Sequence, residues 1–225
     1  MKPFLISFSG IDGAGKSTQI EKLCRYLRAQ GISVRQLIFW DDVVVLPDLR
    51  SDFSRRVLAS DGRVGSREQP ARRRDKNVRN WALLLARSLL YFFDACSLRR
   101  AVARSKHENV QVVVFDRYIH DQLAVLPLSS RLVRNYARLL LKIAPPADLS
   151  YLLDAIPEIA LARKPEYPLA FMHQYRLSYL ALQDLGGLRL IAPADIEEMH
   201  LAILEALRPQ LTSRSASEIS SAVLA

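Results

Sequence analysis

The feature that most constrains the fold of this chain is a glycine-rich loop close to its start. Residues 10–17 have the sequence GIDGAGKS and fit the pattern G-x-x-x-x-G-K-[ST] at every fixed position. The apolar run at residues 4–8 predicts a buried strand before the loop, and apolar residues at helical spacing predict a helix after it. Glycines allow the backbone to curl until its N–H groups point at phosphate oxygens. The loop therefore predicts a phosphate-binding site between a strand and a helix.

The polar side chains of the loop have defined roles in such a site. Lys16 brings a positive charge to the outer phosphates, and the hydroxyl of Ser17 can bind Mg²⁺. A purely structural turn between a strand and a helix would require neither the Lys-Ser pair nor the amphipathic helix that follows. The residues expected to bind the phosphates of a nucleotide are Gly10, Asp12, Gly13, Ala14, Gly15, Lys16, Ser17 and Thr18.

Further strands and helices alternate along the chain. Residues 110–115 and 149–153 are apolar runs typical of buried parallel strands, and an acid follows each of them, Asp116 and Asp154. This alternation predicts an α/β fold in which helices cover both faces of a parallel sheet. Because ligands bind at the carboxyl ends of such strands, both acids are expected on the same sheet edge as the glycine loop.

Two basic residues complete the candidate catalytic set. Asp116 can hold Mg²⁺ directly or through water beside the loop, and Arg117 can donate two parallel hydrogen bonds to a phosphate. An exposed ion pair at the end of the strand is the alternative interpretation. Arg163, next to Lys164, lies after a predicted helix start and is a candidate for a mobile basic segment that closes over the transferring group. A solvated helix end, stabilised by the helix dipole, would explain this pair equally well.

Three consecutive aromatic residues occupy positions 91–93 of a long helix predicted over residues 77–104. One ring can stack on a nucleobase, for which Phe92 is the candidate, and at least two of the three are expected in the core. Asp94 adjoins them and lies either at the helix edge or against a polar cavity. Asp121, which follows Asp116 closely, faces either a substrate or the solvent. Phe92, Asp94 and Asp121 are therefore candidates for substrate binding.

Composition indicates one globular domain. The chain has 225 residues, of which 50% are hydrophobic, and we expect one domain over residues 1–210 and a flexible tail over residues 211–225. The two cysteines lie in apolar helical patterns and are interpreted as core residues in a reducing compartment. No secretory signal and no apolar run that could span a bilayer is visible, so a cytoplasmic protein without membrane contacts is expected.

The chain is basic, with a formal net charge of +9 and a sequence pI of about 9.8. Arginines crowd into residues 47–80, where the first part can be helical and the rest is expected to be a solvated loop. A basic chain attracts anions, and we expect a phosphorylated small molecule rather than nucleic acid as its partner. A homodimer is compatible with the sequence.

Several stretches together resemble the thymidylate kinase family of P-loop nucleoside-monophosphate kinases. The resemblance covers most of the chain, is strong in FSGIDGAGKSTQIEKL, VVVFDRYIHDQLA and PADLSYLLDAIPEIALAR, and is weak over residues 36–80. It implies a P-loop NTPase fold and Mg²⁺-dependent transfer of the terminal phosphoryl group of ATP to a nucleoside monophosphate, with thymidylate as the best single acceptor. It also implies that Asp12 touches the acceptor, that Arg117 holds the acceptor phosphate and that Arg163 belongs to the lid.

The chain departs from this family mainly where the base is recognised. Residues 39–47, FWDDVVVLP, have two acids where the family has a phosphate-binding arginine, and Ala95, Cys96 and Ser97 lie where it has an arginine that recognises thymine. Gly13 occupies a loop position at which some members carry a catalytic arginine. We therefore expect an intact phosphate site and an acceptor preference that has drifted from thymidylate. Two alternatives stay open: a P-loop kinase of a nucleoside or sugar, and a non-catalytic nucleotide-binding module.

Overall fold

The computed structural model describes residues 2–45 and 81–223. The described residues contain one sheet of five strands, all parallel, in the order β2-β3-β1-β4-β5. The strands are β1 (Phe4–Ser9), β2 (Val34–Ile38), β3 (Val112–Asp116), β4 (Leu149–Leu153) and β5 (Arg189–Ile191). The predicted α/β fold with a parallel sheet is thereby confirmed.

Helices surround this sheet. They are α1 (Lys16–Ala29), α2 (Trp81–His107), α3 (Ile119–Leu123), α4 (Arg131–Ile143), α5 (Pro157–Arg163), α6 (Leu169–Gly186) and α7 (Ile196–Val223), and a short π-helical turn spans Phe39–Val43. From the central strand β1 the chain crosses to the edge strand β2 and then returns across the sheet through β3, β4 and β5. Because crossovers between parallel strands are right-handed, this change of direction puts α1 on one face of the sheet and the connections from β2 to β5 on the other. In the part of the chain described, no helix combines the length and the apolarity that a membrane span requires.

The centre of the core is β1, which lies between β3 and β4. All six of its residues are buried, and the Leu5, Ile6 and Phe8 side chains have no exposed surface. A strand that is buried on both faces and flanked on both edges is expected to be mostly apolar. The two hydroxyls of β1, on Ser7 and Ser9, donate hydrogen bonds to Ser150 and Asp121. The carboxyl end of β1 leads into the glycine loop, so the position of the loop is fixed by the most buried strand of the sheet.

Most elements lie where the sequence pattern predicts them, with three differences. The five-residue helix α3 was not predicted, because it is too short to show helical periodicity. Helix α7 continues through Pro209 to Val223 and so extends into residues 211–225, the stretch for which a flexible tail was expected. Of the aromatic residues at 91–93 only Tyr91 is buried, so the prediction that at least two would lie in the core is wrong. Consecutive helical residues point about 100° apart and cannot all face one core.

Candidate active site

The glycine loop adopts a conformation that only glycine accommodates at two positions. Gly10 and Gly13 have φ values of 141° and 86°. A Cβ atom at Gly10 would lie 2.4 Å from the carbonyl oxygen of Leu153 in β4, and one at Gly13 would lie 2.3 Å from the carbonyl oxygen of Ala160 in α5. The loop is therefore packed tightly against the end of β4 and the backbone of α5.

Lys16 is the first residue of α1 and lies buried inside the curl of the loop. Its Nζ atom donates hydrogen bonds to the carbonyl oxygens of Gly10 at 2.8 Å and Ile11 at 2.9 Å. Burial, together with the nearby Arg117 guanidinium, lowers the pKa of Lys16 to about 8 against the opposing effect of the surrounding carboxylates. The ammonium group is thus still largely charged at pH 7, and no carboxylate in residues 2–45 and 81–223 forms an ion pair with it. Phosphate oxygens would supply an anionic partner.

Two further loop hydroxyls are accessible. Ser17 and Thr18 are exposed at the first turn of α1, where helix N–H groups and the positive end of the helix dipole favour an anion. Asp116 lies nearby, because its position at the end of β3 pairs in register with Phe8, two residues before the loop. No hydrogen bond or ion pair in the described part of the chain engages the Asp116 carboxylate, and burial raises its pKa while Lys16 and Arg117 lower it.

These groups fit a magnesium ion bound together with phosphates. No group of three or more His, Cys, Asp or Glu side chains in the described ranges could enclose a metal ion by itself. Mg²⁺ typically takes only one or two protein ligands and completes its shell with phosphate oxygens and water. An Asp116 carboxylate without a partner among the described residues, on the same sheet edge as the exposed Ser17 hydroxyl, suits that kind of site.

Arg117 is the second basic group of the site. Its backbone has a φ of 69°, in the left-handed region that non-glycine residues seldom adopt, and its N–H donates to the carbonyl oxygen of Phe8 at 3.0 Å. The guanidinium donates to the buried carboxylate of Asp12 through Nη2, and through Nη1 to Asp121 at 3.3 Å. Arg117 is therefore brought to the loop by both its backbone and its side chain.

Asp121 is enclosed in the protein interior. One carboxylate oxygen accepts hydrogen bonds from the Ser9 hydroxyl at 2.7 Å and the Tyr118 N–H at 3.0 Å. The other accepts from the Tyr179 hydroxyl at 2.7 Å and from Arg117. No sequence pattern singles out Tyr179, which lies 58 residues further along the chain on α6.

The two substrate-binding candidates on α2, Phe92 and Asp94, are not part of the cluster around the glycine loop. Asp94 is buried, and its carboxylate accepts hydrogen bonds from the Val45 N–H at 2.7 Å and from the Gln122 side chain. Phe92 is 39% exposed and makes an edge-to-face contact with Phe93, with 5.8 Å between ring centroids. Contact of Phe92 or Asp94 with an acceptor stays a prediction. The arginine-rich residues 47–80 lie outside the described residues.

The segment predicted as a lid connects α5 to α6 through residues 164–168. Arg163 is exposed at the end of α5, and Lys164 pairs with the buried Glu166 at 3.1 Å. Asp154, predicted on this edge, is held by two parallel hydrogen bonds of 2.6 Å from Arg176 of α6. The sequence pattern did not single out Arg176. The structure brings Lys16, Asp12, Asp116 and Arg117 together and leaves Arg163 on the surface nearby.

A buried histidine on α3 provides a test of the packing behind this site. His120 lies against Gly186, where an added Cβ would come within 2.6 Å of its Nε2 atom, and burial lowers its pKa from 6.5 to about 4. The unfolded chain therefore takes up a proton as the pH falls from 6.5 to 4, while the folded chain does not. Stability that is present above pH 6.5 should be lost across this range.

We expect His120→Leu, which removes the titrating group, to reduce the loss of stability between pH 6.5 and pH 4. The parent should lose roughly 2–3 kcal/mol of unfolding free energy between pH 6.5 and pH 4 that the variant does not lose. Urea denaturation at several pH values measures this. His173→Gln is the matched control, since His173 is half-exposed and pairs with Glu158 on the surface. Parallel pH profiles for the parent and His120→Leu would contradict the expectation.

The loop, the buried lysine and the acid–arginine pair of the neighbouring strand define a P-loop nucleotide-binding protein of the α/β class. No family model matches the chain. It is 30% identical over 178 residues to a thymidylate kinase of Chlorobium luteolum, which covers 76% of this chain and 72% of the relative. It is 31% identical over 173 residues to the thymidylate kinase of Chlorobaculum tepidum, covering 74% and 71%.

A probable thymidylate kinase of Pyrococcus abyssi is 25% identical over 225 residues and is covered almost completely, with 94% of this chain and 98% of the relative aligned. The chain belongs to the thymidylate kinase family. It is accordingly a kinase, a phosphotransferase that acts on nucleotides.

Proposed function

We propose that this protein transfers the terminal phosphoryl group of ATP to a nucleoside monophosphate, with thymidylate as the first acceptor to test. The observation that carries the proposal is the convergence of Lys16, Asp116 and Arg117 at one sheet edge around the glycine loop. Phosphoryl transfer needs positioned positive charge around the transferring group more than it needs covalent chemistry. The names of the relatives supply the acceptor.

In this proposal the loop N–H groups and Lys16 bind the outer phosphates of ATP. Ser17 and Asp116 would hold Mg²⁺, which neutralises charge on the phosphate oxygens. Position 13 of the loop has no room for a side chain, because α5 lies directly against Gly13. The same contact places α5, with Arg163 at its end, beside the loop. Arg163 would therefore supply the positive charge that a loop arginine cannot supply here.

Arg117 and Asp12 would form the acceptor side. Both arms of the Arg117 guanidinium engage carboxylates, so an acceptor phosphate would replace part of the contact with Asp12. Asp12 lies between the loop and Arg117 and could then accept a hydrogen bond from an acceptor hydroxyl. Asp94 is committed to the Val45 backbone and Gln122, and we infer that it shapes the acceptor pocket without touching the acceptor.

The charge balance of the site favours one alternative, a neutral acceptor such as a nucleoside or sugar. Three carboxylates surround the two cations Lys16 and Arg117. The carboxylates are Asp12, Asp116 and Asp121. Such a site without bound metal carries an excess of negative charge, which disfavours a second phosphorylated ligand. A magnesium ion at Asp116 would reverse that balance.

An ADP-release assay over all nucleoside monophosphates, nucleosides and simple sugars tests both functions. We expect ATP turnover above background hydrolysis with at least one monophosphate. A preference for thymidylate of more than about 100-fold would show that the chain recognises thymine without the missing arginine. Turnover with a neutral acceptor alone would replace the proposed function by the alternative. ATP binding without phosphorylation of any acceptor would indicate a non-catalytic module.

We expect Arg117→Lys to lower kcat/KM for the acceptor by about tenfold, because lysine keeps the charge and loses the forked hydrogen bonds. The KM for ATP should change little, since the ATP phosphates are bound by the loop and Lys16. Steady-state kinetics with each substrate varied in turn separates the two effects. A rise in the KM for ATP with an unchanged acceptor KM would show that Arg117 binds ATP and not the acceptor.

A further inference from the structure

We propose that Asp121 is a positioning residue, which holds Arg117 in the orientation that binds the acceptor and does not touch the acceptor itself. The proposal rests on the proposed function and names a determinant of its acceptor side. It rests on the geometry around one carboxylate and on the backbone of Arg117.

Asp121 has no surface to offer a ligand. Its side chain is completely buried, and both carboxylate oxygens already accept two hydrogen bonds each. The donors are Ser9, Arg117, Tyr118 and Tyr179. They come from the end of β1, the turn after β3 and helix α6. An acceptor could reach this carboxylate only by displacing a donor that would then be buried without a partner, which is costly.

The backbone of Arg117 requires such support. A non-glycine residue seldom adopts the left-handed region and stays there only where its surroundings hold it. Asp121 contacts the guanidinium of Arg117 and the N–H of the next residue, Tyr118. It also caps α3, whose first turn begins directly after Tyr118. One carboxylate thus fixes the turn and the side chain together.

Tyr179 holds Asp121 from the opposite side. Its hydroxyl donates to the Asp121 carboxylate, and its ring packs on Tyr175 with 4.7 Å between centroids. Tyr175 packs in turn on Phe171, at 5.3 Å, and Phe171 on Tyr167, at 5.0 Å. These rings fix the position of the Tyr179 hydroxyl, so Asp121 is supported by a rigid face of α6.

The test compares Asp121→Asn and Tyr179→Phe in the full chain with thymidylate as acceptor. We expect the acceptor KM to rise about tenfold in the first variant and about threefold to tenfold in the second. The KM for ATP should stay within about twofold of the parent, since the loop is not touched. Tyr151→Phe is the matched control: it removes another buried hydroxyl, which bonds the Ile203 carbonyl away from the site.

A double variant separates positioning from direct contact. If Asp121 acts only through Arg117, then Asp121→Asn should add less than about twofold to the acceptor KM of Arg117→Lys. Multiplication of the two effects would overturn the proposal, as would an equal rise in the KM for ATP or an unchanged acceptor KM.

Thymidylate binding measured by calorimetry keeps this test apart from that of the proposed function. A parent that binds thymidylate but phosphorylates no nucleoside monophosphate would defeat the proposed function alone, provided that Asp121→Asn still weakens thymidylate binding about tenfold. If the parent phosphorylates thymidylate and Asp121→Asn has the same acceptor KM and the same affinity for thymidylate, the inference alone is defeated. A parent that neither binds nor phosphorylates thymidylate or any other nucleoside monophosphate would defeat both.

Discussion

Lys16→Ala is expected to lower kcat/KM for ATP by about 10²- to 10³-fold, the usual cost of removing one preorganised donor from a site of charge development. Lys16 is the cation inside the curl of the loop, and its hydrogen bonds to Gly10 and Ile11 hold it there before any ligand binds. Kinetics with ATP varied at saturating acceptor measures the loss.

The fold should survive this substitution. Removing a buried ammonium relieves its desolvation, which is what lowers the pKa of Lys16, and this gain offsets the loss of its two hydrogen bonds. Thermal unfolding without ligand should therefore change little, while the stabilisation by ATP–Mg²⁺ should disappear; in the parent it should reach about 2.7 kcal/mol at 100 times the dissociation constant. Arg25→Ala is the control, because Arg25 is exposed on the same helix. Normal turnover in Lys16→Ala would exclude the assigned role.

Gly13→Ala should destabilise the protein more than Gly15→Ala, although both glycines have a φ of 86°. The left-handed backbone costs alanine about 1–2 kcal/mol at either position. Only at Gly13 does the new Cβ meet a neighbour, the Ala160 carbonyl at 2.3 Å, while nothing lies within 4 Å at Gly15. Overpacking of this kind adds about 1–3 kcal/mol, which gives about 2–5 kcal/mol in total at Gly13.

The unfolding free energies of the two variants, measured by urea denaturation, separate the cost of the steric clash with α5 from the cost of the left-handed backbone. The same contact predicts that Gly13→Arg, which places an arginine where some members of the family carry one, fails to raise turnover because it pushes α5 and Arg163 away from the loop. Equal losses of unfolding free energy in Gly13→Ala and Gly15→Ala would show that α5 yields easily and that its packing on the loop is loose.

Local patterns in the sequence were sufficient to predict the loop, the parallel strands and the sheet edge at which Asp116 and Arg117 meet it. Each of these depends on neighbouring residues: glycines set the loop, and apolar runs set the strands. The spacing of Lys16 and Ser17 within the loop then predicts their roles without any knowledge of distant contacts. This is why the phosphate side of the proposed site could be outlined in advance.

The acceptor side could not be predicted in the same way. Asp121 has the sequence context of an exposed polar residue, and only the tertiary fold shows that Ser9 and Tyr179 enclose it. Arg176 lies 22 residues from its partner Asp154, on a helix whose pattern shows no distinctive signal. Burial of polar groups depends on pairings between remote segments, which periodicity does not report.

The central position of β1 also has a consequence for how the chain acquires its structure during synthesis. One edge of this first strand pairs with β4, and Leu5 donates its N–H to Asp148, 143 positions later. At translation rates of about 5–20 residues per second that distance corresponds to roughly 7–30 s, during which an apolar strand has an uncovered edge. Pairings between such remote segments also slow folding itself. The nascent chain should therefore depend on chaperones until β4 has left the ribosome, and refolding from denaturant should be slow and prone to aggregation at high protein concentration.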